Sequence, residues 1–154
     1  MGENAMAKTP TEDWATHAQQ VLTQNGHHSG QARRALLRLL SSQPCALSAI
    51  EIEDALRAGK RPVARASIYR ILDELEQLRL VQRVQVGQDM TRYEPLRGKD
   101  GHHHHLVCDS CGAVTPFTDE NLEEAIRKLS TRLPMRVAEH EIVLHGSCQA
   151  CAAS

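Results

Sequence analysis

Two pairs of cysteines constrain this chain more than any other feature of its sequence. Cys108 and Cys111 form one Cys-x-x-Cys pair, and Cys148 and Cys151 form a second pair. Each pair can present two thiolates from a tight turn, and four thiolates brought together make a tetrahedral zinc site. A thioredoxin-like redox pair is the competing interpretation of the first pair, but such a pair needs no distant twin. The spacing therefore predicts a structural Zn²⁺ site that joins two distant segments.

Four consecutive histidines, His102 to His105, stand just before the first cysteine pair. On an extended strand, alternate side chains face opposite sides, so His102 and His104 should face one way and His103 and His105 the other. We interpret the run as two interleaved ligand pairs, rather than as part of a purification tag or as solvated strand residues. Sites of imidazole plus carboxylate suit Zn²⁺, Fe²⁺ or Mn²⁺. Candidate partners from other segments are Glu94, Glu123 and His140.

Composition favours a modest aliphatic core and an uneven charge distribution. The chain has 154 residues, of which 41% are hydrophobic but only 3% aromatic. A structural zinc, which can contribute about 10–16 kcal/mol to folding, would support a small second domain. Residues 31–97 carry twelve Lys/Arg against eight Asp/Glu, whereas the remainder carries six against eleven. A basic half joined to an acidic half is typical of a DNA-binding module with a separate regulatory module.

Cysteine usage and hydropathy also bear on location. Paired cysteines of this kind favour metal binding in a reducing compartment over disulfides. No apolar run approaches the ~18 residues of a membrane helix, and the first residues lack the basic and apolar regions of a signal peptide. We therefore expect a cytoplasmic protein with no membrane partner.

The first part of the chain predicts helices followed by a hairpin. We expect residues 1–8 to be disordered. Helix starts are predicted at Thr9, at Ser29, at a capping box of Ser48 and Glu51, and near residue 65; helix ends are predicted at Gly26, Ser42, Gly59 and near residue 79. Alternation over residues 80–86 and 90–94, with a turn at 87–89, predicts a β-hairpin. Helices followed by a two-stranded wing indicate a winged helix-turn-helix, whose last helix enters the major groove of double-stranded DNA.

The start of that last helix carries the candidate DNA contacts. Arginine can bridge guanine or phosphate, and hydroxyl groups can reach phosphate. The candidates there are Arg65, Ser67, Tyr69 and Arg70.

The second part predicts a small mixed domain. Residues 95–101 form a linker, which leaves 9–94 as the winged-helix domain and 102–154 as a metal-binding dimerisation domain. Strands are expected at 102–108, 113–117 and 135–145, with a helix capped by Asp119 whose core face carries Leu122, Ile126 and Leu129. So thin a sheet should pair with a second copy, giving a homodimer. The expected fold class is α+β: an N-terminal winged helix-turn-helix followed by a small α/β dimerisation domain with a four-cysteine zinc site.

The motif from His102 to Cys111, followed by a distal Cys-x-x-Cys, resembles that of the ferric uptake regulator (Fur) family of metal-sensing bacterial repressors. The segment Ser67-Ile68-Tyr69-Arg70-Ile71-Leu72 is similar to the family's recognition-helix signature. The resemblance runs from about Trp14 to Cys151. It implies a structural Zn²⁺ on Cys108, Cys111, Cys148 and Cys151. It implies a hinge sensing site on Glu94, His103 and His105, with another ligand from the DNA-binding domain. It also implies a dimerisation-domain site on His102, His104, Glu123 and His140. The regulatory metal is expected to be Fe²⁺ or Zn²⁺, with Mn²⁺ as a further candidate.

Several positions depart from the family pattern. Cys45-Ala46 stands where members often carry a histidine, and Cys45 is either a substitute ligand or a small buried residue. The stretch after the wing lacks the cysteine common in zinc-sensing members, and Glu94 after Tyr93 is more similar to the iron-sensing pattern. The usual second-helix motif is altered, so only Arg33 carries over as a candidate DNA contact.

We therefore predict a metal-responsive, DNA-binding transcriptional repressor of metal-homeostasis genes, and not an enzyme. One alternative is a peroxide sensor of the same family, in which iron at the hinge oxidises a ligating histidine. A second is a small zinc hydrolase, which would need an open coordination position on the metal.

Overall fold

The computed structural model describes residues 10–86, 90–97 and 102–153, with side chains from residue 14 onward. The chain divides into two compact units, Met1–Gly98 and Lys99–Ser154. This division falls inside the segment assigned above to the linker. The predicted disorder of residues 1–8, the Thr9 cap, the 87–89 turn and the end of the linker lie outside the described residues.

The first unit consists of four helices and a three-stranded sheet. Its elements in chain order are α1 (Pro10–Gln24), α2 (Gln31–Ser42), β1 (Leu47–Ser48), α3 (Ala49–Ala58), α4 (Arg65–Gln77), β2 (Val81–Val86) and β3 (Met90–Pro95). The strand order is β1-β3-β2, and both pairings are antiparallel. The predicted hairpin is thus β2–β3, and the short β1, which the sequence did not reveal, adds a third strand to the wing.

Local capping explains several of the helix boundaries. Ser48 and Glu51 form the predicted capping box at the start of α3. Ser29 was predicted to cap α2, but the N-cap is Gly30, which makes no side-chain hydrogen bond. At the end of α3, Gly59 has an ordinary negative φ, and the left-handed conformation falls instead on Lys60 with φ 57°.

The core of the first unit is aliphatic and gathers residues from all four helices. Trp14 adds a long-range polar contact, since its indole N–H donates to the carbonyl oxygen of Leu80 over 3.2 Å. On α2, Leu37 is buried, whereas Leu39 is only partly buried. The largest fully buried apolar side chains are Leu22, Leu36, Leu40, Ile52, Ile68, Leu72, Leu75, Val81 and Val84.

The second unit is a small sheet with two helices. Its elements are β4 (His104–Cys108), β5 (Val114–Phe117), α5 (Glu120–Ser130), β6 (Val143–Gly146) and α6 (Gln149–Ala152). The sheet order is β5-β4-β6, with β4 antiparallel to β5 and parallel to β6. Asp119 caps α5 as predicted, because its carboxylate accepts the Leu122 N–H at 2.8 Å.

Two expectations for this unit are wrong. The strand predicted over 135–145 is confined to Val143–Gly146, because residues 135–142 make no ladder. The predicted core face of α5 is not buried either: no residue of this helix is buried, and Leu129 is 49% exposed. Within residues 102–153 the buried side chains are His104, His105, Val107 and Cys108.

Across the described residues, every helix is too short or too polar to traverse a lipid bilayer.

Candidate metal centres and DNA-binding surface

The four paired cysteines converge at one end of the second unit. Cys108 ends β4, Cys111 follows in a turn closed by Gly112 with φ 72°, Cys148 is the N-cap of α6, and Cys151 lies inside that helix. Parallel pairing of β4 with β6 sets Cys108 opposite Gly146 and so brings the two turns together. The four sulfur atoms all lie within 4.8 Å of one another.

Distances and electrostatics in this cluster fit zinc. Tetrahedral Zn–S bonds of about 2.3 Å put sulfurs about 3.8 Å apart, and the Sγ atoms of Cys111 and Cys148 are 3.9 Å apart. The backbone N–H of Cys148 donates to the Cys108 sulfur, which helps to lower the pKa of that thiol to about 6. Hydrogen bonds with Cys148 and the other thiols raise the pKa of Cys151 to about 12. Holding all four cysteines as thiolates requires a cation between them, and this donor set suits Zn²⁺.

A pair formed by Asp109 and His145 holds the same region together. The His145 Nδ1 lies 2.9 Å from an Asp109 carboxylate oxygen, and the Asp109 N–H donates to the carbonyl of Gly146. Sequence reasoning overlooked this pair, although a carboxylate directly after Cys108 and a histidine three residues before Cys148 were visible signals. The pair ties β4 to β6 beside the cysteines.

A second cluster joins β4, α5 and the segment before β6. Fully buried His104 places its Nε2 2.6 Å from a carboxylate oxygen of Glu123. The Nε2 of His140 lies 3.1 Å from the other oxygen, and the Nε2 atoms of His102 and His140 are 3.2 Å apart. Imidazole nitrogens and a carboxylate directed at one point form a ligand set, and the donor atoms of all four residues lie within 4.8 Å of one another.

The protonation preferences of this cluster suit a metal. The hydrogen bond from His104, together with that from His140, lowers the pKa of Glu123. Burial, together with the neighbouring His104, lowers the pKa of His102. These shifts favour a carboxylate at Glu123 and a neutral imidazole at His102, which are the metal-binding forms of both groups. The structure thus groups the residues predicted for the dimerisation-domain site.

The other two histidines of the run form their own pair in the second unit. The rings of His103 and His105 lie 5.0 Å apart, edge to face, and His105 is fully buried. The alternation predicted for the run is therefore observed, since His102 and His104 also form an edge-to-face pair, 4.7 Å apart.

In the first unit, the predicted hinge ligand Glu94 lies in β3, next to its last residue, and is buried. The side-chain amide of Gln82 on β2 donates to its carboxylate.

The predicted DNA contacts sit at the start of α4. Tyr69 is 44% exposed and Arg70 is exposed, whereas Ser67 is half-buried. Arg65 is exposed, but its Nε donates to Glu53 at 2.6 Å, and this bond raises the pKa of the guanidinium.

Arg33, which the sequence suggested as a DNA contact, is instead engaged within the first unit. Its guanidinium is nearly buried, forms an ion pair with Glu74 of α4 and donates to the carbonyl of His28. Such contacts hold α2 against α4 and leave little of the side chain for DNA.

Comparisons with known proteins agree with this arrangement. A sequence model of the ferric uptake regulator family matches residues 24–145. The ferric uptake regulation protein of Bacillus subtilis (strain 168) is 30% identical over 121 residues, covering 77% of this chain and 81% of that protein. The structure of the Helicobacter pylori ferric uptake regulator Fur shares the fold, with a TM-score of 0.80 over 96% of both chains at 23% identity.

A zinc uptake regulator complexed with zinc and DNA superposes with a TM-score of 0.55 at 28% identity, over 95% of this chain and 97% of that chain. The family match spans both the winged helix and the metal-binding unit. The chain therefore belongs to the ferric uptake regulator family of metal-responsive transcriptional regulators.

Proposed function

We propose that this chain is a homodimeric repressor that binds operator DNA when a regulatory metal occupies a site at the hinge between its two units. The main observation behind this proposal is that the four consecutive histidines separate into two alternating pairs. His102 and His104 belong to the cluster with Glu123. This leaves His103 and His105 for a second metal.

Glu94 is the ligand that we expect from the DNA-binding unit. Its side chain is 2% exposed. Burying a carboxylate is unfavourable unless a cation or several donors compensate it. A metal that joins Glu94 to His103 and His105 would add to the compensation that the Gln82 amide and the charge of Arg97 provide.

Cys45 is our candidate for a further ligand of this site. β1 pairs with β3 so that Leu47 lies opposite Tyr93. Continuing this register sets Ala46 opposite Glu94, with Cys45 one residue further along. A thiolate beside a carboxylate and two imidazoles favours Zn²⁺ over Fe²⁺ or Mn²⁺, because thiolates select softer ions.

Cobalt spectroscopy tests the role of Cys45. The structural site would be kept filled with Zn²⁺, and Co²⁺ would then be added. The wild-type protein should develop a thiolate-to-cobalt charge-transfer band in the near ultraviolet, and Cys45→Ser should lose it while still binding Co²⁺. A wild-type spectrum without that band would remove Cys45 from the site.

The regulatory metal is proposed to act by fixing the orientation of the winged helices. In a dimer, this orientation sets the spacing between the two α4 helices, which must match two half-sites of the operator. Metal and DNA affinities are then coupled reciprocally, so operator DNA tightens metal binding by the same factor.

Operator affinity under metal-buffered conditions tests the proposed function. DNA from upstream of the protein's own gene would be titrated by fluorescence anisotropy with Fe²⁺, Mn²⁺ or Zn²⁺, without oxygen. We expect one metal to tighten binding at least about tenfold, or about 1.4 kcal/mol of coupling. His103→Ala should lose this response and remain a dimer, whereas His17→Ala, an exposed histidine on α1, should keep it. A His103→Ala variant with a wild-type response would contradict the hinge assignment.

Self-association is proposed to involve the second unit. Its buried core is small, and it exposes large apolar side chains that a second copy would cover. These are Leu106, Leu129, Leu133, Met135, Val137 and Leu144. Sedimentation analysis should give a dimer, and Leu129→Glu should shift it toward monomer. A monomeric wild-type protein at micromolar concentration would contradict the proposal.

A further inference from the structure

A basic groove opens on the first unit between α2 and the turn that joins α3 to α4. Its volume is about 790 Å³. Its charged lining residues are Arg34, Arg38, Lys60 and Arg61, and among the residues whose side chains the structure describes no acidic one lines it. We refer to these four residues and the space between them as the basic groove.

The four cations are exposed and available. Among the side chains described, none of the four forms an ion pair, although Arg33, Arg57 and Arg65 nearby are each paired with a carboxylate. Arg34 and Arg38 are one helical turn apart on α2, so they lie on one face of that helix. Four like charges around one concave surface attract a polyanion.

The backbone at Lys60 is a second feature of the groove. The N–H of Lys60 bonds to the carbonyl of Arg57, and that of Arg61 bonds to the carbonyl of Leu56, which closes α3 as a Schellman motif. The residue at the left-handed position of this motif is usually glycine, because a side chain there is strained. In this chain Lys60 occupies the left-handed position, with φ 57°.

The groove adjoins the start of the recognition helix. Lys60 and Arg61 precede Ala64, the N-cap of α4, by only a few residues. When the start of α4 enters the major groove, the backbone phosphates flanking that groove pass beside this turn and α2. Because Arg65 is paired with Glu53 and Arg33 with Glu74, these two arginines are less available to neutralise those phosphates. The basic groove offers four further cations beside them.

We propose that the basic groove binds backbone phosphates of the DNA beside the α4 contact, and that its α2 residues Arg34 and Arg38 contact DNA in place of Arg33. The inference rests on the proposed function, since it requires that the protein bind DNA. Phosphate contacts carry no base information, so the groove sets affinity and salt dependence but not sequence preference.

The test measures DNA affinity as a function of salt for the full-length, metal-loaded protein. Lys60→Gln/Arg61→Gln is compared with Arg79→Gln/Arg127→Gln, which removes the same charge from two exposed positions outside the groove. Both variants are assayed on operator DNA and on a scrambled duplex. Thermal unfolding monitored by circular dichroism establishes that each is folded.

The groove variant should weaken binding to both duplexes by the same factor. The slope of log K against log salt should become shallower by about 0.9 for each lost phosphate contact. The control should keep the wild-type slope.

A groove variant with wild-type slope and affinity would overturn the inference while leaving the proposed function intact. Weakened operator binding with unchanged binding to the scrambled duplex would also overturn it, since that outcome indicates base recognition. If the wild-type protein binds neither duplex with any metal, the proposed function fails and the groove proposal fails with it.

Discussion

Replacing Arg33 by glutamine tests whether this side chain stabilises the fold or contacts DNA. The side chain is 11% exposed, and its ion-pair partner Glu74 is 19% exposed. Hydrogen bonds between charged groups contribute about 1.5–3 kcal/mol, and removing one member of a nearly buried pair also leaves the other charge uncompensated. Because Arg33 additionally donates to the His28 carbonyl, we expect Arg33→Gln to lower the free energy of unfolding by about 2–3 kcal/mol.

Urea unfolding followed by circular dichroism measures this change. With an m-value of about 1–3 kcal/mol per molar urea, the midpoint should fall by roughly 0.7–3 M. Adding Glu74→Gln to Arg33→Gln should cost little more, because both changes remove the same interaction. Arg34→Gln is the matched control: it is the next residue, exposed and without an ion pair among the described side chains, and it should change stability by less than about 0.5 kcal/mol.

DNA affinity completes the comparison. Measured where the Arg33→Gln variant is fully folded, its operator affinity should stay within about twofold of wild type, which corresponds to less than about 0.5 kcal/mol. Unchanged stability together with a tenfold or larger loss of affinity would refute this reasoning. It would show that Arg33 releases Glu74 to contact DNA.

Three other predictions concern single features of the structure. Lys60→Gly and Arg79→Gly, at φ 57° and 53°, should each raise stability by about 0.5–1 kcal/mol by relieving left-handed strain, and a fall in melting temperature for both would contradict this. Glu51→Ala removes the capping box and a 2.7 Å ion pair with the largely buried Arg92. Urea unfolding should therefore show a free energy of unfolding lower by about 2–4 kcal/mol, and a decrease of less than about 1 kcal/mol would contradict this. Cys148→Ser should release zinc to a chromophoric chelator under native conditions, and full zinc retention would exclude its role as a ligand.

Features fixed by neighbouring residues were predictable from the sequence. The capping box of Ser48 and Glu51 needs only residues three apart, and the structure contains it. The alternation of the histidine run follows from strand geometry alone. Ligand chemistry is similarly restrictive, because four thiolates at paired spacing have few other structural uses.

Features decided by tertiary partners were not predictable in this way. An arginine can serve equally well as a phosphate contact or as an ion-pair partner, and only the fold shows that Glu74 lies next to Arg33. The sequence correctly predicts that one face of α5 is apolar. The pattern alone does not show whether other side chains of the same chain bury that face. The strand expected over 135–145 failed because extended, apolar-containing sequence does not ensure a pairing partner for its whole length.

The strand β4 carries ligands for every metal cluster that we assign. His104 and His105 are adjacent, both fully buried, and on opposite faces, while Cys108 ends the same strand. A buried strand cannot slide by one residue without exchanging its two faces. Zinc bound at the four cysteines would therefore fix the register that presents His104 to Glu123 and His105 to the opposite side. Loss of the structural zinc should consequently weaken metal binding at both histidine sites, even though none of their ligands has changed. Isothermal titration of zinc-depleted against zinc-loaded protein measures this coupling, and equal affinities in the two forms would show that β4 keeps its register without the zinc.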